Sequence, residues 1–143
     1  MKNTFFSLLI LSIWVLATSC GVMFGGSRYR AVIKVKDHPN AIISVFGKDV
    51  GSGKANGIFP RNIPLRVTVK EEGCPEKAQV FNNTFRTGNF LLTMISWGII
   101  GVAIDLGTGA SFKPDHLHDM EIKKLTYKTF YFNIDYTGCP VKQ

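Results

Sequence analysis

Apolar and polar residues alternate along most of this chain, and one stretch breaks that rhythm. In RYRAVIKVK (residues 28–36), Tyr29, Ala31, Ile33 and Val35 alternate with Arg30, Lys34 and Lys36. Period two with β-branched residues predicts a half-buried strand. Asp37-His38-Pro39-Asn40 is turn chemistry, and AIISVF (41–46) predicts a second, almost wholly apolar strand. GKDVGSGKANGIFP (47–60) carries four glycines and is expected to be loop. Strands are expected again at 65–70 and 78–86, and residues 120–136 form one long strand or two. There Phe130, Phe132, Ile134 and Tyr136 share one face, and Thr129, Tyr131, Asn133 and Asp135 share the other. The pattern predicts a mainly β fold: a small antiparallel sheet or sandwich of five or six strands, with an apolar helix or helical hairpin inserted at about 89–112.

The insertion is the break in rhythm. FLLTMISWGIIGVAI (90–104) holds no charge, and the next charges are Asp105 and Lys113. As a membrane span it falls short of the roughly 20 residues needed. Extension to Phe112 reaches that length but buries Asp105, at about 2.5–3.5 kcal/mol. As a core helix, Leu91, Ile95, Ile99 and Val102 recur at helical spacing, Gly98, Gly101 and Ala110 permit close approach, and Asp105 serves as a cap or turn residue. A further reading is a short glycine-broken hairpin that dips into the bilayer or packs on a partner, since a contiguous apolar patch marks an interaction surface. Trp97, Gly98, Gly101 and Asp105 are the candidate contact residues, with both glycines expected on one face of a helix over 91–104.

The amino terminus supplies a location. Lys2 precedes an apolar run at residues 5–16, too short to cross a bilayer, followed by Ala17-Thr18-Ser19-Cys20. Residues 1–19 therefore read as a secretory signal peptide. Ala17 and Ser19 suit ordinary cleavage. Cys20 immediately after them resembles the lipobox of bacterial lipoproteins, although Leu16 stands one position early. That resemblance implies lipidation of Cys20, and a thioether-linked diacylglycerol anchors stably because two chains exceed the marginal hold of one. Residues 20–27 would be a lipidated tether and 28–143 a single domain. Gly21 after Cys20 resembles outer-membrane sorting, which favours the periplasmic face of the outer membrane.

Charge adds little. The chain has 17 basic and 10 acidic residues, and loss of Lys2 with the leader lowers the net charge from +7 to +6. The basic residues are scattered, so a solvated surface near anionic headgroups or cell-wall polymer is expected, with no nucleic acid. Of three cysteines, lipidation removes Cys20 from the count. Cys74 and Cys139 remain, each in a Gly-Cys-Pro tripeptide after a strand-like run. They either pair as a disulfide, which needs Cα atoms within about 7 Å, or stay as buried thiols.

No chemistry-bearing motif survives inspection. GSGK at 51–54 fails as a phosphate loop, because five residues separate Gly47 from Gly53 and Ala55 stands where Ser or Thr must bind Mg²⁺. His116 and His118 would point the same way on a strand and are the metal candidates. Two ligands are not a site, and His38 lies in a distant turn, so no metal and no cofactor is assigned. A nucleophile–base pair, a carboxylate pair and a cofactor fingerprint are all missing from the sequence, so the expectation is a non-catalytic module. The alternatives are a small metal-binding protein or metalloenzyme using His116 and His118, and a lipoprotein that acts on a membrane partner through 90–112.

Two resemblances sharpen this. Gly47, Lys48, Gly51, Pro60, Val67, Val69 and Gly73 occur in the order found in the PEGA-type β-domain of bacterial envelope proteins, over roughly residues 32–85. The eponymous Pro-Glu-Gly-Ala tetrapeptide is absent and the loop is longer. Gly98, Gly101, Asp105, Thr108, Gly109 and Ala110 are similar to a run in small bacterial lipoproteins of unassigned role. These resemblances imply a place and a shape, a lipid-anchored envelope protein with a small β-domain, more than an activity; with no chemical motif in the chain, the expected role is binding or scaffolding of an envelope protein or cell-wall polymer.

Overall fold

The structure is a computed structural model that describes residues 26–139. The expected signal peptide at residues 1–19 and the expected lipidation site Cys20 lie outside the described residues. The alternation of Tyr29, Ala31, Ile33 and Val35 produces strand β1 (Arg28–Val35), with all four side chains buried. Then follow β2 (Ile42–Val45), β3 (Lys48–Ser52), β4 (Lys54–Pro60), β5 (Leu65–Lys70), β6 (Lys77–Phe81) and β7 (Asn83–Phe85). The helical segment α1 is Thr87–Thr108, and β8 (Phe112–Pro114), β9 (Ile122–Lys124) and β10 (Thr129–Ile134) complete the described chain.

The fold is mainly β with one helical insertion, as the pattern predicts. Its strands outnumber the expected five or six. Residues 47–60 are not a loop but two strands, β3 and β4. β4 pairs along seven positions of β1, from Arg28↔Pro60 to Lys34↔Lys54. Sheet pairing satisfies backbone groups whatever the side chains are, so a glycine-rich, polar run becomes strand when a neighbour offers its edge. The expected strand at 78–86 splits at Asn82 into β6 and β7, which belong to different sheets. The tail is two strands, turned at Thr126 and Thr129.

The main sheet runs β6-β5-β2-β3-β4-β1-β10-β9. It is not purely antiparallel, because β1 and β10 pair in parallel from Arg30↔Thr129 to Val35↔Ile134. β3 and β4 meet at Ser52↔Lys54, and the sheet turns a corner at Gly53. Gly53 has φ +60, its N–H donates to Ala41 O, and its carbonyl accepts from Val35 N. A Cβ there would lie 2.3 Å from the Pro39 carbonyl oxygen, so only glycine fits.

The corner lets the two halves of the sheet face one another over one core. Phe81 of β6 meets Phe132 of β10 with ring centroids 5.0 Å apart, and Leu65, Val67 and Val69 join Ile33, Val35 and Ile134 in that core. At one end Cys74 and Cys139 form a disulfide with Cα atoms 5.2 Å apart. His38 lies beside it, its Nδ1 2.7 Å from Glu71 Oε2 and its ring against Tyr136. At the other end the core carries the insertion.

Candidate functional site

The insertion stands on a stem. β7 and β8 form a separate two-stranded antiparallel ribbon, Asn83↔Pro114 to Phe85↔Phe112. The Asn83 side chain donates to Arg61 O at 2.8 Å, which ties the stem to the end of β4. Above the ribbon, the Arg86 N–H donates to Ser111 O, closing the base of α1. The Phe85 ring meets Phe90 at a tilt and Phe112 edge-on there. Gly109 ends the helix in the left-handed conformation, and a Cβ on it would lie 2.8 Å from Asn62 N.

α1 is not one rod. Gly98 has φ 58 and ψ −149, a conformation essentially reserved for glycine, and the helix breaks and reverses there. Two legs result, residues 87–97 and 99–108. In a straight helix Thr93 and Asp105 would be about 18 Å apart. Here Thr93 Oγ1 donates to Asp105 Oδ2 at 2.6 Å, and both residues are buried. Gly101 seals the same seam: a Cβ on it would lie 2.4 Å from Trp97 Cβ and 2.9 Å from Thr93 Cγ2.

The polarity of this hairpin is inverted relative to a water-soluble one. Thr93, Gly101 and Asp105 are inside. Leu91, Leu92, Met94, Ile95, Ile99, Ile100, Ile104 and Leu106 are outside, with Ile95 83% and Ile99 85% exposed. Apart from the buried Asp105, α1 contains no charged residue.

The four candidate contact residues therefore take different roles. The expected helix over 91–104 is longer and broken. Gly98 makes no packing contact within the chain, since nothing lies within 4 Å of a Cβ built on it, and its backbone angles reverse the chain. Gly101 is a contact residue, against Thr93 and Trp97 within the hairpin. Asp105 is neither cap nor turn but the acceptor of the internal hydrogen bond. Trp97 is half-buried beside the reversal.

A cleft of about 400 Å³ opens at the base of the hairpin. Arg61, Arg86, Lys113 and Lys124 line it with Tyr127 and the first turn of α1, and no carboxylate does. Arg86 lies over the Tyr127 ring at 4.7 Å, hydrogen-bonds the Tyr127 hydroxyl, and donates to Ala110 O. Arg61 is 0% exposed, between the rings of Tyr29 and Phe130. Its Nη1 makes a long 3.4 Å bond to Phe112 O, while Nε and Nη2 have no partner. Burial, and then the neighbouring Arg86 charge, lower the Arg61 pKa to about 10. Burial also pushes the Tyr29 phenol above its ordinary range. Sequence reasoning missed this cleft, since Arg61 follows β4, Arg86 precedes α1, Lys113 is in β8 and Lys124 in β9, and the four share no local pattern.

The histidines do not converge. His118 Nδ1 pairs with Asp115 at 2.9 Å, a hydrogen bond that holds the Asp115 carboxyl below its usual range. His116 Nδ1 lies 3.2 Å from Pro114 O, with its ring against Phe130. The fold instead gathers His38, Glu71 and Cys139, with ligand atoms within 4.8 Å of one another. Cys139 is bonded to Cys74 and presents no thiolate, the form that ligates metal. No protein-family model, curated protein or solved structure matches this chain.

Proposed function

We propose that this chain is a lipid-anchored bacterial envelope protein without catalytic function, which seats its helical hairpin in the membrane that carries its anchor. The observation that carries this reading is the inverted polarity of the hairpin, with its one charge paired inside and its aliphatic side chains outside. The exposed fractions of those eight side chains amount to roughly five whole side chains in water, a gross cost on the order of 10 kcal/mol that a hydrocarbon environment relieves.

The dimensions favour a lipid occupant. A straight 22-residue helix would be about 33 Å long, a full span. Each leg is about 16 Å, half of the roughly 30 Å hydrocarbon core, so the hairpin reaches the midplane and returns. All its backbone bonds are internal save at the reversal and the base, as hydrocarbon requires. Asp105 lies about 10 Å along the leg from Gly98, towards the headgroups, and its partner Thr93 travels with it. Arg86, Lys113 and Lys124 at the base meet the anionic headgroup layer. Lipidation of Cys20 would keep the domain at one membrane, with the outer membrane's periplasmic face favoured. The β-domain then serves as a binding or scaffolding module for an envelope protein or cell-wall polymer.

Trp97 reports the outcome. In the processed chain, which begins at Cys20, it is the sole tryptophan. The processed protein is reconstituted in vesicles whose acyl chains are brominated near mid-depth. Strong quenching of Trp97 is expected. Quenching by aqueous acrylamide alone would reject insertion and assign the apolar face to a protein partner.

A further inference from the structure

The cleft at the base of the hairpin is a cation cluster that lacks an anion. Among the described residues, no carboxylate forms an ion pair with Arg61, Arg86, Lys113 or Lys124. Buried polar groups are nearly always satisfied, and each exception calls for an explanation such as an absent ion. Arg61 is such an exception. It lines the floor of the cleft, is fully buried, and has two guanidinium nitrogens without partners. Its lowered pKa agrees with a charge held without compensation. A second feature points into the same space. The first turn of α1 has no acidic residue, and Arg86 at its N-cap makes no side-chain cap bond. The N–H groups and positive dipole end of that leg therefore remain available to an anion.

We propose that this cleft is a phosphate site, and that it holds the headgroup phosphate of an anionic phospholipid in the leaflet the hairpin enters. Four cations and a helix N-terminus suit a compact oxyanion, and arginine forks suit phosphate oxygens. The lipid source is favoured by position, because the cleft sits at the root of the apolar hairpin, where a seated protein meets the headgroup layer. This identification rests on the insertion reading above, whereas the phosphate chemistry of the cleft does not. Tyr127, over which Arg86 lies, closes one wall of the site.

The test uses the processed full-length protein in non-ionic detergent. It is titrated with dihexanoyl phosphatidylglycerol, dihexanoyl phosphatidylcholine and inorganic phosphate, with binding followed by calorimetry. Saturable one-to-one binding of phosphatidylglycerol, at least tenfold tighter than phosphatidylcholine, is the expected result. Lys113→Gln and Lys124→Gln, at the mouth rather than in the buried floor, should each weaken it about tenfold, the loss of one charge-assisted contact. Equal or tighter binding of inorganic phosphate would overturn the lipid source and keep a phosphate site. The absence of saturable binding of any of the three would overturn the site itself. Headgroup binding without Trp97 quenching would reject insertion alone, so the two readings fail separately.

Discussion

Replacement of Gly98 by alanine tests the hairpin through the sign of its effect. If residue 98 were an ordinary position in a 22-residue helix, alanine would stabilise it by about 1 kcal/mol through helix propensity. At φ 58 and ψ −149 the same change has the opposite sign, because an L-residue there costs on the order of 1–3 kcal/mol. Sterics with neighbours do not confuse the result, since nothing lies within 4 Å of the added Cβ. The alternative of straightening the helix is closed. β7 and β8 pair at its two ends, and β10 must still return to β1. Strain therefore appears as more frequent opening of the hairpin. Hydrogen exchange read by mass spectrometry on peptides covering 90–106, in detergent, should be about 5- to 150-fold faster in Gly98→Ala, while β1 and β5 keep their protection. Gly107→Ala is the control. That glycine lies in the second leg with open space around its Cβ position, so alanine there should slow exchange or leave it unchanged. Slower exchange in Gly98→Ala would refute the reversal and with it the inverted hairpin.

Other outcomes follow from the same contacts. Gly101→Leu should separate the two legs, because even a Cβ meets Trp97 and Thr93 below 3 Å, and Trp97 quenching by brominated lipid should change with it. Thr93→Val removes the donor to a buried carboxylate, which should destabilise the hairpin by about 1.5–3 kcal/mol in hydrogen exchange. Changing Cys74 and Cys139 together to Ser opens a link across 65 residues of chain, and chemical denaturation should register a loss of about 2–4 kcal/mol. His116→Ala with His118→Ala should leave folding intact and remove no metal, as checked by thermal unfolding and elemental analysis of purified protein. Cys20→Ser should abolish incorporation of labelled fatty acid, and a wild type that takes up no label would remove the anchor from the proposal.

What the sequence determined by itself is mostly local. The alternation in 28–36 and 129–136 set which face of each strand is buried, because side chains on a strand alternate regardless of partner. The uncharged run at 90–104 announced an apolar insertion, and its two glycines announced a break or a close approach. Pairing was beyond its reach. Residues 47–60 are strand because β1 and β2 offer hydrogen-bonding edges, and the parallel pairing of β10 with β1 joins segments about a hundred residues apart, which no local pattern encodes. Gly98 and Gly101 share a spacing that suggests one face, yet tertiary structure made one the reversal and the other the seam, since a single backbone angle decides between them. Asp105 gained its meaning only when Thr93 was brought back beside it, and Arg61, Arg86, Lys113 and Lys124 line one cleft only because four separate stretches of chain converge. Charges far apart in sequence carry no common pattern, and only folding brings them close enough for their fields to add.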